Sequence, residues 1–235
     1  MLLNVIASDA MLSVLFIILS YLIGSIPFGI VLGKGICHID IREHGSKNIG
    51  STNAIRVLGK KVGFLVFFCD VFKGMAVIIL LKILATAGIW QTPIEYFFYG
   101  AAAIIGHCFS IFLDFKGGKA VATSLGVVLI LTPIPAIACL IIFVIILYAT
   151  GYVSLASTGA TITVIATTWI LYGCGSEASG FWNYFIAKPT ILVAVLYSIL
   201  SLLIIFKHFK NYKRLLNGTE SNFKKKKLEQ KSSNS

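Results

Sequence analysis

Seven runs of this 235-residue chain are apolar for most of their length: about 11–33, 62–85, 96–113, 119–133, 135–151, 155–173 and 189–206. A helix needs about 20 such residues to cross a hydrocarbon layer of roughly 30 Å. A single water-soluble core has no room for so many apolar segments, and the polar cover it would need is missing. Charged residues make up 12% of the chain and hydrophobic ones 57%, against about 25% charge in an ordinary soluble domain. A soluble globule is excluded, and an all-α, polytopic membrane protein is expected. The first run follows Asp9 rather than a basic segment and continues through Gly33. That exceeds signal-peptide length, so it reads as a retained helix.

The stretch 119–150 decides how many crossings there are. As one helix it would extend about 48 Å at 1.5 Å per residue, too long for one upright span, and Pro133 and Pro135 interrupt it. Two helices give seven crossings and put the termini on opposite sides. One side then carries Lys34, Arg42, Lys47, Arg56, Lys60, Lys61, Lys116, Lys119 and the nine cations of residues 207–235, and the other carries only Lys188. By the positive-inside rule the N-terminus is outside and the C-terminus cytoplasmic. Merging 119–150 would export the basic end, which decides for seven.

Residues 1–216 are expected to form one integral membrane domain, and residues 217–235 a basic, disordered cytoplasmic tail attracted to anionic lipid through Lys224–Lys227. The net charge of +11 does not imply nucleic acid, because no soluble module with a basic face accompanies it. Cys37, Cys69, Cys108, Cys139 and Cys174 are scattered without a C-x-x-C pair, so neither a zinc site nor a disulfide framework is expected. No metal or other cofactor is expected either.

Four polar segments fall on the cytoplasmic side of this topology. The first, Asp40 to Arg56 and on to Gly63, combines Gly45, Gly50 and Gly59 with Ser46, Ser51, Thr52, Asn48, Asn53 and Arg56. Glycines admit close backbone approach, successive N–H groups form an anion nest, and hydroxyls with a guanidinium complete a phosphate cradle. A merely topogenic loop would need the charge but not the amides and hydroxyls. The second, Gly106 to Thr123, places Lys116 and Lys119 around Gly117-Gly118 at an expected helix start, a second anion site. Either lysine alone would equally suit a membrane-boundary anchor. The third holds Ser154 and Ser157 on neighbouring turns, suited to a ligand or to helix packing. In the fourth, His208 and Asn211 share a face at the end of the last span.

Asp70 and Lys73 stand at i, i+3 inside the second span as a partly neutralised pair. His107 is either a base or a hydrogen-bonded interior histidine. No G-x-x-x-x-G-K-[ST] loop, G-x-S-x-G elbow or H-E-x-x-H occurs, which argues against nucleotide-driven work and covalent or zinc hydrolysis, and no histidine is followed four residues later by an aspartate. Two anion cradles on an apolar body suit a reaction between two phosphorylated molecules, one bearing a fatty chain. An acyl phosphate already has a good leaving group and needs only positioning and charge stabilisation.

The motifs GSIPFG (24–29), DIREHGSKNIGSTNAIRVLGKKVG (40–63), DVFKG (70–74), GHCFSIFLDFKGGKAVATSLGV (106–127), GYVSLAS (151–157) and HFKNYKRLLNGTE (208–220) closely resemble those of the bacterial acyl-phosphate-dependent glycerol-3-phosphate acyltransferases. The resemblance implies a seven-helix enzyme of the inner (cytoplasmic) membrane with its active site facing the cytoplasm. It would move an acyl chain from acyl phosphate to the 1-position of glycerol 3-phosphate, the first committed acylation of phospholipid synthesis. Acyl-CoA and acyl-carrier protein would not be donors, and a synthase making acyl phosphate would be the upstream partner.

By that likeness Ser46, Asn48, Gly50, Thr52 and Asn53 hold the acyl phosphate, and Arg56 with Lys116, Gly117, Gly118 and Lys119 binds phosphate groups. Ser154 or Ser157, with His208 and Asn211, orients glycerol phosphate. The base would be a substrate phosphate, with His107 the protein alternative. Lys47 and Ser51 stand where the family pattern has Gly and Ala, and segments 172–188 and beyond Glu220 look longer than usual. A transporter of phosphate esters or other anions is the rival reading, but such proteins show two similar halves with binding near the midplane, and these halves are unlike. A lipid-binding scaffold would leave the first two motifs unexplained.

Overall fold

The computed structural model describes residues 2–174 and 188–223, and every regular element among them is a helix. The first unit, Met1–Leu131, holds α1 (Leu2–Ser25), α2 (Phe28–Cys37), α3 (Ser51–Leu58), α4 (Lys60–Thr86), α5 (Phe97–Cys108), a 3-10 turn (Ile111–Leu113) and α6 (Val121–Leu131). The second, Thr132–Ser235, holds α7 (Pro133–Thr150), α8 (Val153–Cys174), α9 (Ile191–Lys207) and α10 (Phe209–Leu216).

Four helices, over Ser8–Ser25, Lys60–Thr86, Pro133–Thr150 and Val153–Cys174, are long and apolar enough to cross a membrane. The pair α9 and α10, bent by 45°, makes a fifth if taken as one span. Phe28–Cys37, Phe97–Leu113 and Val121–Leu131 are apolar but shorter. Helix α4 has the surface a lipid solvent demands: Phe64, Phe68 and Phe72, one turn apart, are 51–62% exposed, while Asp70 and Lys73 are each 2% exposed. Polar groups face the protein interior and aromatic rings face outward, because a charge facing hydrocarbon is costly.

One expected boundary changes and one holds. The run 11–33 is not one helix, since α1 ends at Ser25 and α2 begins at Phe28. Pro27 has no N–H to continue the ladder and steers Ile26 away from helical angles. The stretch 119–150 does divide in two, with Thr132 between α6 and α7 and Pro133 opening α7, where a missing N–H costs nothing.

Within the first unit α1 meets α5 through small residues. A Cβ on Gly24 would strike the Ala103 backbone, so only glycine permits this approach, a common device in membrane bundles. Hydroxyls fasten the same seam: Ser20 Oγ donates to the Tyr99 carbonyl (2.6 Å), Ser25 Oγ to Gly106 (3.2 Å) and Ser110 Oγ to Ser25 (2.6 Å).

In the second unit α7 packs on α8 and α8 on α9. The tail expected to begin at Asn217 gives its first seven residues to the fold. Thr219 and Glu220 donate their N–H groups to the Arg214 carbonyl, Phe223 donates its N–H to Gly151, and Asn222 Nδ2 donates to Thr150. These bonds supply carbonyl oxygens at helix ends with the donors they otherwise lack. Lys224–Lys227 and most of the 172–188 segment lie outside the described residues.

Candidate active site

The loop 38–50 is built around one amide. Asn53, 1% exposed, donates from Nδ2 to the carbonyls of Ile41 (2.9 Å) and His44 (3.1 Å), and its Oδ1 accepts from Ser46 N–H (2.9 Å). Three of the four hydrogen-bonding directions of this amide are thus turned on its own loop, which makes Asn53 a former of the loop. Ile41, wholly buried, packs with Ala54 and Val66 beneath it. Gly45 and Lys47 take left-handed backbone angles, φ +60° and +58°, and a Cβ on Gly45 would collide with Asn53 Oδ1.

At the base of the loop, Arg42 Nη2 lies 2.6 Å and Lys34 Nζ 3.1 Å from Asp40 Oδ2, and the Arg42 N–H bonds Oδ1 at 3.0 Å. The Arg42 hydrogen bonds, with Lys34 adding to them, hold the Asp40 carboxyl well below the usual carboxylate range, against a smaller opposing effect of burial. The loop feeds α3 through Gly50, whose N–H donates to Asn48 Oδ1 (2.9 Å) and which provides no side-chain cap. The N–H groups of Asn53 and Ala54 both reach the Gly50 carbonyl. Ser51 and Thr52 stand in the uncapped first turn, half-buried, where the helix dipole favours an anion. Ser46 is exposed, and Arg56, half-buried one turn further on, lays its stem against Gly45.

The second anion segment differs from expectation. Gly117-Gly118 does not start a helix, because α6 begins at Val121, after Ala120 at φ +56°. The glycine N–H groups are engaged: Gly117 donates to the Cys108 carbonyl (3.2 Å) and Gly118 to His107 (3.0 Å). They close the end of α5, whose last carbonyls lack helical partners. A Cβ on Gly118 would collide with His107 Nε2 and one on Gly117 with the His107 carbonyl, so both positions are glycine because the loop lies directly on the ring and backbone of this residue. Lys116 is exposed and Lys119 half-buried at its two ends.

Below it lies a buried polar group. His107 (4% exposed) has Nδ1 3.1 Å from Thr123 Oγ1 and 3.7 Å from Asp70 Oδ1. Lys73 Nζ is 2.8 Å from the same Asp70 oxygen and donates to the Ile26 carbonyl at 2.7 Å. The expected Asp70–Lys73 pair is therefore formed, with His107 beside it.

The second unit gathers its polar residues on one carboxylate. Glu220 Oε1 accepts from Asn211 Nδ2 (2.7 Å) and Ser154 Oγ (3.3 Å), and Oε2 accepts from Arg214 Nε (2.7 Å). Asn211 and Ser154 are thus joined, with Ser157 buried one turn along α8. His208, 3% exposed at the α9–α10 bend, has Nδ1 2.9 Å from the Ile204 carbonyl and stacks on Tyr212. Sequence reasoning gave Glu220 and Arg214 no role. The signal available was that Glu220 is the only acid between Lys207 and Leu228. Among the described residues no three His, Cys, Asp or Glu side chains come together as a metal group.

The family whose sequence model is described as glycerol-3-phosphate acyltransferase matches residues 14–218. A glycerol-3-phosphate acyltransferase of Acholeplasma laidlawii is 43% identical over 92% of this chain and 95% of its own length. The one from Bacillus subtilis is 42% identical over 91% and 99%. Among solved structures, PlsY (YgiH), an integral membrane glycerol 3-phosphate acyltransferase in its glycerol 3-phosphate form, superposes with a TM-score of 0.73 at 36% identity, covering 89% of this chain and 94% of that one. Its lysophosphatidic acid form gives 0.71 at 34%.

Proposed function

The chain belongs to the glycerol-3-phosphate acyltransferase family, and from that membership we propose that it moves a fatty acyl group from acyl phosphate to the 1-hydroxyl of glycerol 3-phosphate. The hydroxyl oxygen attacks the acyl carbon, the carbon–oxygen bond to phosphate breaks, and the hydroxyl proton passes to a phosphate oxygen. The products are lysophosphatidic acid and inorganic phosphate, and the step belongs to phospholipid synthesis. The donor requires an upstream synthase that makes acyl phosphate.

One observation carries this reading: the loop that Asn53 shapes delivers Ser46, Asn48, Gly50 and Thr52 to the uncapped start of α3, with Arg56 one turn away. Backbone donors, hydroxyls and a guanidinium at a helix N-terminus suit the phosphate oxygens of an acyl phosphate. Lys116 and Lys119 neutralise phosphate charge, and Gly117 and Gly118 hold those lysines in place. Ser154, Ser157, His208 and Asn211 orient glycerol 3-phosphate. A substrate phosphate serves as the base.

The protein is multi-pass. We read α5 and α6 as crossings despite their length, which makes seven with the N-terminus outside, in the cytoplasmic membrane and with the polar loops facing the cytoplasm. The charge asymmetry supports this orientation, and a bilayer thins around short spans at modest cost.

The test is purified protein in detergent with acyl phosphate and labelled glycerol 3-phosphate. Lysophosphatidic acid is expected from acyl phosphate and not from acyl-CoA; no product, or equal product from acyl-CoA, overturns the reading. For topology, Lys188→Cys in intact cells should react with an impermeant thiol reagent and Lys47→Cys should not; the reverse pattern overturns the orientation.

A further inference from the structure

The acyl-transfer chemistry makes no use of the Asp70–Lys73 pair, although two ions buried in a lipid-facing helix are costly to keep. Their partners indicate what the pair does. Lys73 reaches from α4 to the Ile26 carbonyl, at the break that Pro27 makes between α1 and α2, with its ammonium 5.6 Å from the Phe28 ring centroid. Helix α2 then runs to the 38–50 loop, whose end comes back onto the first turn of α2, since a Cβ on Gly29 would strike the Ile49 carbonyl. On its other side Asp70 faces His107, whose carbonyl accepts from Gly118 and whose ring lies under Gly118, between Lys116 and Lys119.

We propose that Asp70, Lys73 and His107 form one buried positioning device that ties both anion segments of the first unit, the 38–50 loop and Lys116–Lys119, to the same point on α4. The pair acts through other residues: Lys73 sets where α2 starts, and Asp70 and Thr123 together set the His107 ring on which Gly118 rests. His107 is a support here rather than a base. The restraint requires a cation reaching a carbonyl and an anion facing an imidazole, which an apolar pair of similar volume does not supply.

This inference rests on the acyl-transfer reading only for its kinetic readout, so the experiment carries a second readout that does not depend on activity. Full-length Asp70→Asn/Lys73→Met leaves no unpaired buried charge, unlike either single variant. Its melting temperature is expected near wild type. Its hydrogen exchange should accelerate at residues 38–50 and 114–120 together, and KM for both substrates should rise about tenfold, the equivalent of one charge-assisted hydrogen bond, with kcat nearly unchanged. A role in folding alone would restore exchange and KM along with stability, and that result overturns the proposal. If the double variant fails to fold, Thr123→Val decides. It removes only the hydroxyl bonded to His107, and faster exchange confined to 114–120 supports the device while unchanged exchange sinks it. Should wild type make no lysophosphatidic acid, the acyl-transfer reading fails, and the exchange data still judge the device.

Discussion

Asn53→Ala is the sharpest perturbation of the candidate site. The side chain supplies three hydrogen bonds, at 2.9, 3.1 and 2.9 Å, to three different points of the loop it encloses. At about 1 kcal/mol each they contribute about 3 kcal/mol, equivalent to roughly 100-fold in the balance between shaped and open loop. Two of the three are only part-buried, which lowers the sum. Since binding weakens by the fraction of competent loop, kcat/KM for acyl phosphate should fall roughly tenfold to hundredfold. Global stability should change little, because Ile41, Ala54 and Val66 still pack beneath the loop. Asn53→Asp gives a second sign. It keeps the acceptor for Ser46 N–H but turns an oxygen toward the Ile41 and His44 carbonyls, so it should be worse than Ala despite its closer shape. Initial rates with labelled glycerol 3-phosphate, alongside thermal melts, decide the matter. A folded Asn53→Ala enzyme with wild-type kcat/KM, or an Asp variant better than Ala, refutes the argument.

Arg56→Ala should cut turnover at least about tenfold through loss of a charge-assisted phosphate contact, and wild-type kinetics would remove Arg56 from the site. Glu220→Ala leaves Asn211, Arg214 and Ser154 without their shared acceptor; KM for glycerol 3-phosphate should rise and the melting temperature fall, and a variant unchanged in both would dismiss Glu220 as the hub. The Asp40 carboxyl is held low in the folded chain, so its pairing contributes fully above the unfolded value of about 4 and fades as pH falls through the lower folded value. The difference in melting temperature between wild type and Asp40→Asn should therefore stay constant from pH 7 to about 4 and shrink below; a difference that varies between pH 7 and 5 contradicts this.

Most of the helical content was legible in the sequence, because hydropathy runs and prolines act locally. The division at Thr132, the pairing of Asp70 with Lys73 and the polar character of the 40–56 loop could all be read this way. The break at Ile26–Pro27 was missed because apolar composition continues through it, whereas the backbone donor does not. The Lys-Gly-Gly-Lys segment misled for a related reason. Two glycines beside two cations look like an open anion nest, yet their N–H groups close the end of α5.

By itself the sequence determined the solvent this protein folds in, its likeness to a family and the residue types of its cradles, since each follows from composition or from contiguous motifs. Only the tertiary structure decided which of those residues shape the site and which remain to bind. Asn53 reaches a carbonyl 12 residues away, Lys73 one 47 residues away, and Glu220 a hydroxyl 66 residues away. A polar side chain in an apolar body must find a partner, and at such separations the partner is chosen by how the helices pack, which no local pattern encodes.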